Sequence, residues 1–348
     1  MKKRILTALC AVLVIVILLS VAQLLVVPKY RSNREGALIG EYYDHAGDHD
    51  VIFIGDCEVY ESIVPTKMWE EQGISAYVRG SAQQLAWQSY YILEDTLRYE
   101  TPKAVVFNVL ALMYGEPQKE AYNRMALDGM EWSAVKAEAI SASMTEEEDF
   151  LTYLFPFFRY HSRWSELTAE DFEYAYGDKP LVSDSGYLMQ TGIQPAHPES
   201  DPAPGLLLDP DLPATAMAYL DRMEALCREK GIELILIKAP TNYFKYHWYD
   251  EWDAQMVAYA AEHGLAYYNF MHHTEAIGLD MSVDTYDAGI HLNVYGAEKL
   301  TRYFGAMLRD DHGIPDRRSN DKTAAVWRDR VATYRARKAQ MEAETQNN

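Results

Sequence analysis

The chain opens with Met1-Lys2-Lys3-Arg4 and then runs apolar from Ile5 to Val27, interrupted only by Thr7, Ser20 and Gln23 and closed by Pro28. A helix needs roughly 20 apolar residues to cross a bilayer core, and this run supplies them. The basic cluster ahead of it predicts a cytoplasmic N-terminus and an exported body. Ser20-Val21-Ala22 also reads as a small-x-small cleavage site. Because the apolar run continues past it through Leu24, Leu25, Val26 and Val27, residues 1–27 are read as an uncleaved anchor, followed by a stalk over 28–46.

Beyond that point short apolar runs alternate with amphipathic ones. Val51-Ile-Phe-Ile54, Ile74–Val78, Ala104–Val109, Ile232–Lys238 and Leu265–Asn269 read as strands. A run apolar at nearly every position indicates burial on both faces. Helices are expected over 65–72, 82–99, 214–230, 253–263 and 297–309, three of them stopped by Gly73, Gly231 and Gly264. Strands alternating with helices imply a parallel sheet covered on both sides, with ligands at the carboxyl ends of its strands. The fold expected for residues 47–312 is therefore a three-layer α/β/α sandwich of flavodoxin-like type.

The alternation breaks for about a hundred residues. Leu110 to Tyr176 reads as helical and is rich in aromatics (Phe150, Tyr153, Phe155, Phe157, Phe158, Tyr160, Trp164), and Gly177 to Pro213 as a Pro-, Gly- and Asp-rich loop. Residues 111–213 are expected to form an insertion, either covering the strand ends or packed at the periphery. The tail, residues 313–348, carries a charged helix with Ala325, Trp327, Val331 and Tyr334 on its apolar side. It is expected to pack on the domain or to lie near the membrane.

Charge narrows the function. The formal net charge is −20, and without Lys2, Lys3 and Arg4 the exported part stands at −23. Such a surface repels polyanions, which excludes nucleic acid as a partner. Of the three cysteines only Cys57 and Cys227 lie beyond the anchor, so no disulfide framework exists. Cys227 shares a helical stripe with Ala216, Leu220 and Met223 and is expected in the core.

Chemistry concentrates in two blocks. Gly55-Asp56-Cys57-Glu58 follows the first strand directly, which places a nucleophile in the turn at the carboxyl edge of the sheet. Asp287-Ala-Gly-Ile-His291-Leu-Asn293-Val-Tyr-Gly296-Ala297 precedes the last helix. A histidine there reaches the same edge as a general base, with Asp287 orienting it. No glycine-rich phosphate loop and no metal-ligand spacing occur, His272-His273 included, so neither cofactor nor metal is expected.

Together these blocks resemble the SGNH (GDSL-type) hydrolase superfamily. In that family a Gly-Asp-Ser motif follows strand one, and an Asp-x-x-His motif near the C-terminus completes the site. His291-Leu-Asn293, Gly296-Ala297 and Val59-Tyr60 with Pro65 are similar to the membrane-anchored cell-envelope members, which include polysaccharide O-acetyltransferases and the D-alanyl-transfer protein of teichoic acid. The resemblance covers strands one to three and Ala214 onward. It implies Cys57 as nucleophile, His291 as base, and an oxyanion hole from the amides of Cys57 and Gly80, the latter in the loop after strand two. Asn108 stands where the family has Gly-x-Asn-Asp, as an oxyanion donor or a satisfied buried amide.

The chain departs from the family twice. The nucleophile is Cys rather than Ser, and Asp287 stands four residues before His291 instead of three, with Ala288 at minus three and Asp284 as fallback. The resemblance implies an acyl-ester hydrolase or acyltransferase on a cell-envelope glycan or acylated polymer, served by a transmembrane acyl-donor protein. The alternative is an inactive SGNH-fold protein that binds glycan or assists envelope assembly. Asn123-Arg124 and His161-x-Arg163-Trp164 are lesser candidates, for a saccharide or a carboxylate.

Overall fold

The computed structural model describes residues 2–27, 36–176, 181–196, 210–241 and 249–347. Five strands form one sheet: β1 (Val51–Gly55), β2 (Ala76–Gly80), β3 (Ala104–Asn108), β4 (Glu233–Lys238) and β5 (Ala266–Asn269). All neighbours pair in parallel, in the order β2-β1-β3-β4-β5, which is the flavodoxin-like order.

β1 to β4 are apolar at nearly every position because both faces are covered. Ile52, Ile54, Tyr77, Val105, Phe107, Leu234 and Leu236 enter one core, under the helices Ala86–Thr96, Ala214–Lys230 and Tyr249–His263. Their alternates Val51, Phe53, Ala76, Val78, Val106, Ile235 and Ile237 enter the other, with the helices Pro65–Gln72 and Val294–Asp310. Successive side chains of a strand point to opposite faces, so each strand feeds both cores. Cys227 is buried in the first core with Ala216, Leu220 and Met223. The Pro65–Gln72 and Ala214–Lys230 helices end at Gly73 and Gly231, both left-handed, which glycine adopts without penalty.

Four expectations are corrected. β2 begins two residues later than the apolar run and continues through Arg79 and Gly80, which pair with Ile54 and Gly55. Arg79 is tolerated inside it because its guanidinium bonds Asp95 at 3.2 Å and Thr96 at 2.8 Å and lies 4.0 Å over Tyr42. The expected stalk is shorter, since Leu38, Ile39 and Tyr42 are core residues; its first part, residues 28–35, lies outside the described residues. Of the two readings of the insertion, peripheral packing fits its Ala134–Ser143 helix, which lies on Ala86–Thr96.

Residues 181–196 are not a free loop. Val78 N donates to Ser185 O at 3.0 Å beyond the β2 edge, and Tyr187 is fully buried. The tail helix, Asp321–Asn347, packs on the domain: Trp327 stacks on Trp69 with centroids 5.4 Å apart, and Tyr334 is buried. Ala324 rather than Ala325 lies on its buried side. At the other end, Lys2–Val26 is one helix of 25 residues, long and apolar enough to span a membrane.

Candidate functional site

The carboxyl edge of the sheet gathers the ends of β1, β2, β3 and β4. β1 ends at Gly55, where a Cβ would lie 2.7 Å from Val59 Cγ2 and 2.9 Å from Asn108 Cβ. Only glycine lets the chain pass so close to β3 before turning. Asp56 then caps the short Cys57–Tyr60 helix, its Oδ1 accepting from Glu58 N at 3.2 Å. Cys57 is thereby the first residue of that helix, half-buried, with an amide of the kind helices leave unpaired at their start.

The His291 block forms a tight hairpin closed by a bridge between Thr285 and Leu292. Its tip holds Ala288 at φ 65° and Gly289 at φ 96°. Those two left-handed residues take up the extra residue of the Asp287–His291 spacing. Asp287 Oδ1 accepts from His291 N at 2.8 Å, and its Oδ2 lies 2.7 Å from His291 Nδ1. The imidazole also stands beside the Cys57 thiol, close enough for each group to shift the other's proton affinity. Cys57 and the hydrogen-bonded His291–Asp287 pair therefore meet at the sheet edge. The hairpin is held from outside: Gln194 N donates to Thr285 O, Ala288 N to Gln194 O, and Thr241 Oγ1 to Gly289 O.

Three other residues singled out in the sequence stand elsewhere. Gly80 lies in the β2 ladder opposite Gly55 rather than in the following loop. A Cβ on it would sit 3.0 Å from Gly55 O, which accounts for the glycine sterically. Asn108 is a satisfied buried amide: its Nδ2 donates to Asp56 Oδ1 and Glu58 Oε2, both at 3.0 Å, and its Oδ1 accepts from Ala239 N at 3.1 Å. No N–H is left on it for an oxyanion. Asp284 is bound to Lys299 Nζ at 2.6 Å and Asp280 N at 2.7 Å and is not a partner of His291. Of the lesser candidates three are structural: Arg124 is buried among Glu120, Asp128 and Thr152, Asn123 bonds Ser143 O and Glu148, and Arg163 bonds Asp171 and Val26 O, while His161 and Trp164 are exposed.

Sequence reading missed two features. Beneath Cys57, Glu58 is fully buried against Lys238 Nζ, at 2.7 and 2.9 Å. The signal was available, since a lysine ending an otherwise apolar buried strand requires a partner. Beside Cys57, Glu61 Oε2 lies 3.4 Å from His291 Nδ1 and accepts from Tyr286 Oη at 2.8 Å. His291 thus faces two carboxylates.

Burial, together with this surplus of negative charge, sets the proton affinities. Burial pushes the Cys57 thiol up to about 11; Asp56 and Glu61 add to the rise, and His291 opposes it. Burial alone would lower His291, but its bond to Asp287, the neighbouring Cys57 thiol and the charge of Glu61 raise it to about 12. Glu61 and Asp56 are each lifted to about 7, chiefly by burial. Near neutral pH the pair therefore holds both protons, as thiol and imidazolium. Among the described residues no group of three or more His, Cys, Asp and Glu side chains is placed to hold a metal ion.

No family model and no curated protein matches this chain. Among solved structures it is similar to a provisionally assigned acylhydrolase from Bacteroides fragilis, at 11% identity and a TM-score of 0.38, over 78% of this chain and 94% of that one. A likeness that distant carries no functional argument. Fold and site define an α/β protein with a flavodoxin-like sheet and a Cys beside a His–Asp pair at its carboxyl edge.

Proposed function

We propose that this protein is a membrane-tethered acyl-ester enzyme of SGNH type, with Cys57 in the place of the family's serine. It acts on O-acyl groups of a cell-envelope glycan or related polymer. The observation that carries this reading is the placing of Cys57 beside the hydrogen-bonded His291–Asp287 pair at the carboxyl ends of the strands. The uncleaved N-terminal helix holds the domain at the outer face of the cell membrane, within reach of a transmembrane acyl-donor protein.

In this reaction Cys57 Sγ forms a bond to the acyl carbonyl carbon while His291 takes the thiol proton. The carbonyl π pair moves onto oxygen, facing the Cys57 amide. Collapse of the adduct breaks the bond to the leaving alcohol, which takes the proton from His291, and a thioester remains on Cys57. Attack by water releases the acid; attack by a sugar hydroxyl forms a new ester. Asp287 holds the imidazole in one tautomer and stabilises its cation.

The base form of His291 is scarce at neutral pH because its pKa is raised, so turnover should climb as pH rises into the alkaline range. Hydrolysis of aryl acyl esters by the full chain in detergent, followed from about pH 6 to about pH 10, tests this. Cys57→Ala should fall to the uncatalysed rate, and Asp287→Asn should lose roughly 10²-fold or more in kcat. The raised thiol favours a second reading, an inactive SGNH-fold protein that holds glycan. Saturable glycan binding with no Cys57-dependent turnover at any pH would establish that reading and end the first.

A further inference from the structure

The N-terminal helix and the aromatic insertion meet. At 1.5 Å per residue the 25-residue helix is about 37 Å long, so it crosses a bilayer core of roughly 30 Å and leaves its last turn at the interface. That last turn is covered by protein. Val26 is buried, and the segments Phe157–Tyr160, His161–Ser165 and Ala169–Tyr176 pack against the helix. Arg163 Nη1 donates to Val26 O at 2.8 Å, pairing a carbonyl at the end where helices leave them unpaired and where a cation is favoured.

The same insertion carries an apolar surface that remains exposed among the described residues. Outside the N-terminal helix, thirteen large hydrophobic side chains are exposed among the described residues, and six of them fall between residues 150 and 173: Leu151, Leu154, Phe155, Phe158, Trp164 and Phe172. Trp164 is 72% exposed and Phe158 57%. The other seven are scattered over the domain. Phe and Trp beside Arg159 and Arg163, at the exit of an apolar helix, have the composition of a membrane–water interface. The patch continues the surface that the helix already occupies.

We propose that this insertion is a membrane-interface foot. Phe155, Phe158 and Trp164 lie in the headgroup region around the exit of the N-terminal helix and seat the domain directly on the lipid. The attachment is apolar rather than electrostatic, because a body at −23 gains nothing from anionic lipid. The proposal rests on the N-terminal helix spanning the bilayer.

The test is tryptophan quenching in the full chain reconstituted into phosphatidylcholine vesicles with bromine on the acyl chains. Bromine near the headgroup should quench Trp164, and Trp164→Phe should remove half or more of that quenching. Leu13→Trp, mid-helix, should add quenching by bromine deep in the acyl chains. If Leu13→Trp gains the deep quenching while Trp164→Phe changes nothing, the helix spans and the foot is refuted. If Leu13→Trp gains none, the anchor itself fails. A blue-shifted Trp164 untouched by bromine would place protein, such as a second copy, on the patch and would also overturn the proposal.

Discussion

Two clusters of buried charge meet at Cys57, and they are built to opposite rules. Beneath it, Lys238 sits on Glu58, and Asn108 ties Glu58 to Asp56. The Lys238 and Glu58 side chains are 1% and 3% exposed. Beside it, Glu61 and Asp287 share one imidazole, and the His291 side chain is 16% exposed. The floor pairs its cation and locks every polar atom of Asn108; the flank leaves negative charge in excess and a proton able to move. A closed network fixes shape, whereas an open, charge-heavy one handles protons. Cys57 is held in place by the floor yet hard to ionise, chiefly because it is buried, with Asp56 and Glu61 adding to the rise and His291 opposing it.

The largest expected effect breaks the floor. Lys238→Met leaves Glu58 buried without its cation, at a cost of roughly 3–5 kcal/mol. The thermal midpoint should drop by several degrees, and Glu58→Leu with Lys238→Met should regain most of the loss. A single variant that melts with the parent would show that the floor does not secure the turn.

A smaller effect sharpens the flank. Glu61→Gln keeps an acceptor for Tyr286 but removes a charge that raises both Cys57 and His291. The pH profile of Cys57 alkylation should move down by about one unit. Stability should respond as well, with a definite sign. Glu61 has a raised folded-state value of about 7, so its contribution is present below its ordinary range and is lost as pH rises through about 7. The parent should therefore lose stability across that window, and Glu61→Gln should flatten the loss. An unchanged alkylation profile would separate Glu61 from the site.

How much of this was legible follows the same division between local and distant causes. The five strands were readable because burial on both faces leaves continuous apolar runs, and helix ends at Gly73 and Gly231 because a left-handed stop is a local property. Cys57 and His291 were readable from their places after the first strand and before the last helix. The geometry joining Asp287 to His291 was not, because it depends on Ala288, a residue whose identity does not announce a positive φ. The choice for Asn108 between oxyanion donor and satisfied buried amide was not legible, because its partners Asp56 and Glu58 come from another strand end. Glu61 and Tyr286 lie 225 positions apart, and no periodicity reveals such a pair. Residues 181–196 read as a loop because backbone bonds to Val78 and Thr285 leave no mark on side-chain pattern.

The central claim is that Cys57 carries the acyl group, and trapping that group tests it most directly. The full chain would be mixed with an activated acyl ester at mildly alkaline pH, quenched with acid within seconds, digested and weighed by mass spectrometry. The account predicts one acyl unit on the peptide containing Cys57, absent in Cys57→Ala, much slower to form in His291→Ala, and lost again as the ester turns over. An acyl group that never appears on Cys57 while ester is still consumed, or that forms at the same rate without His291, would contradict it.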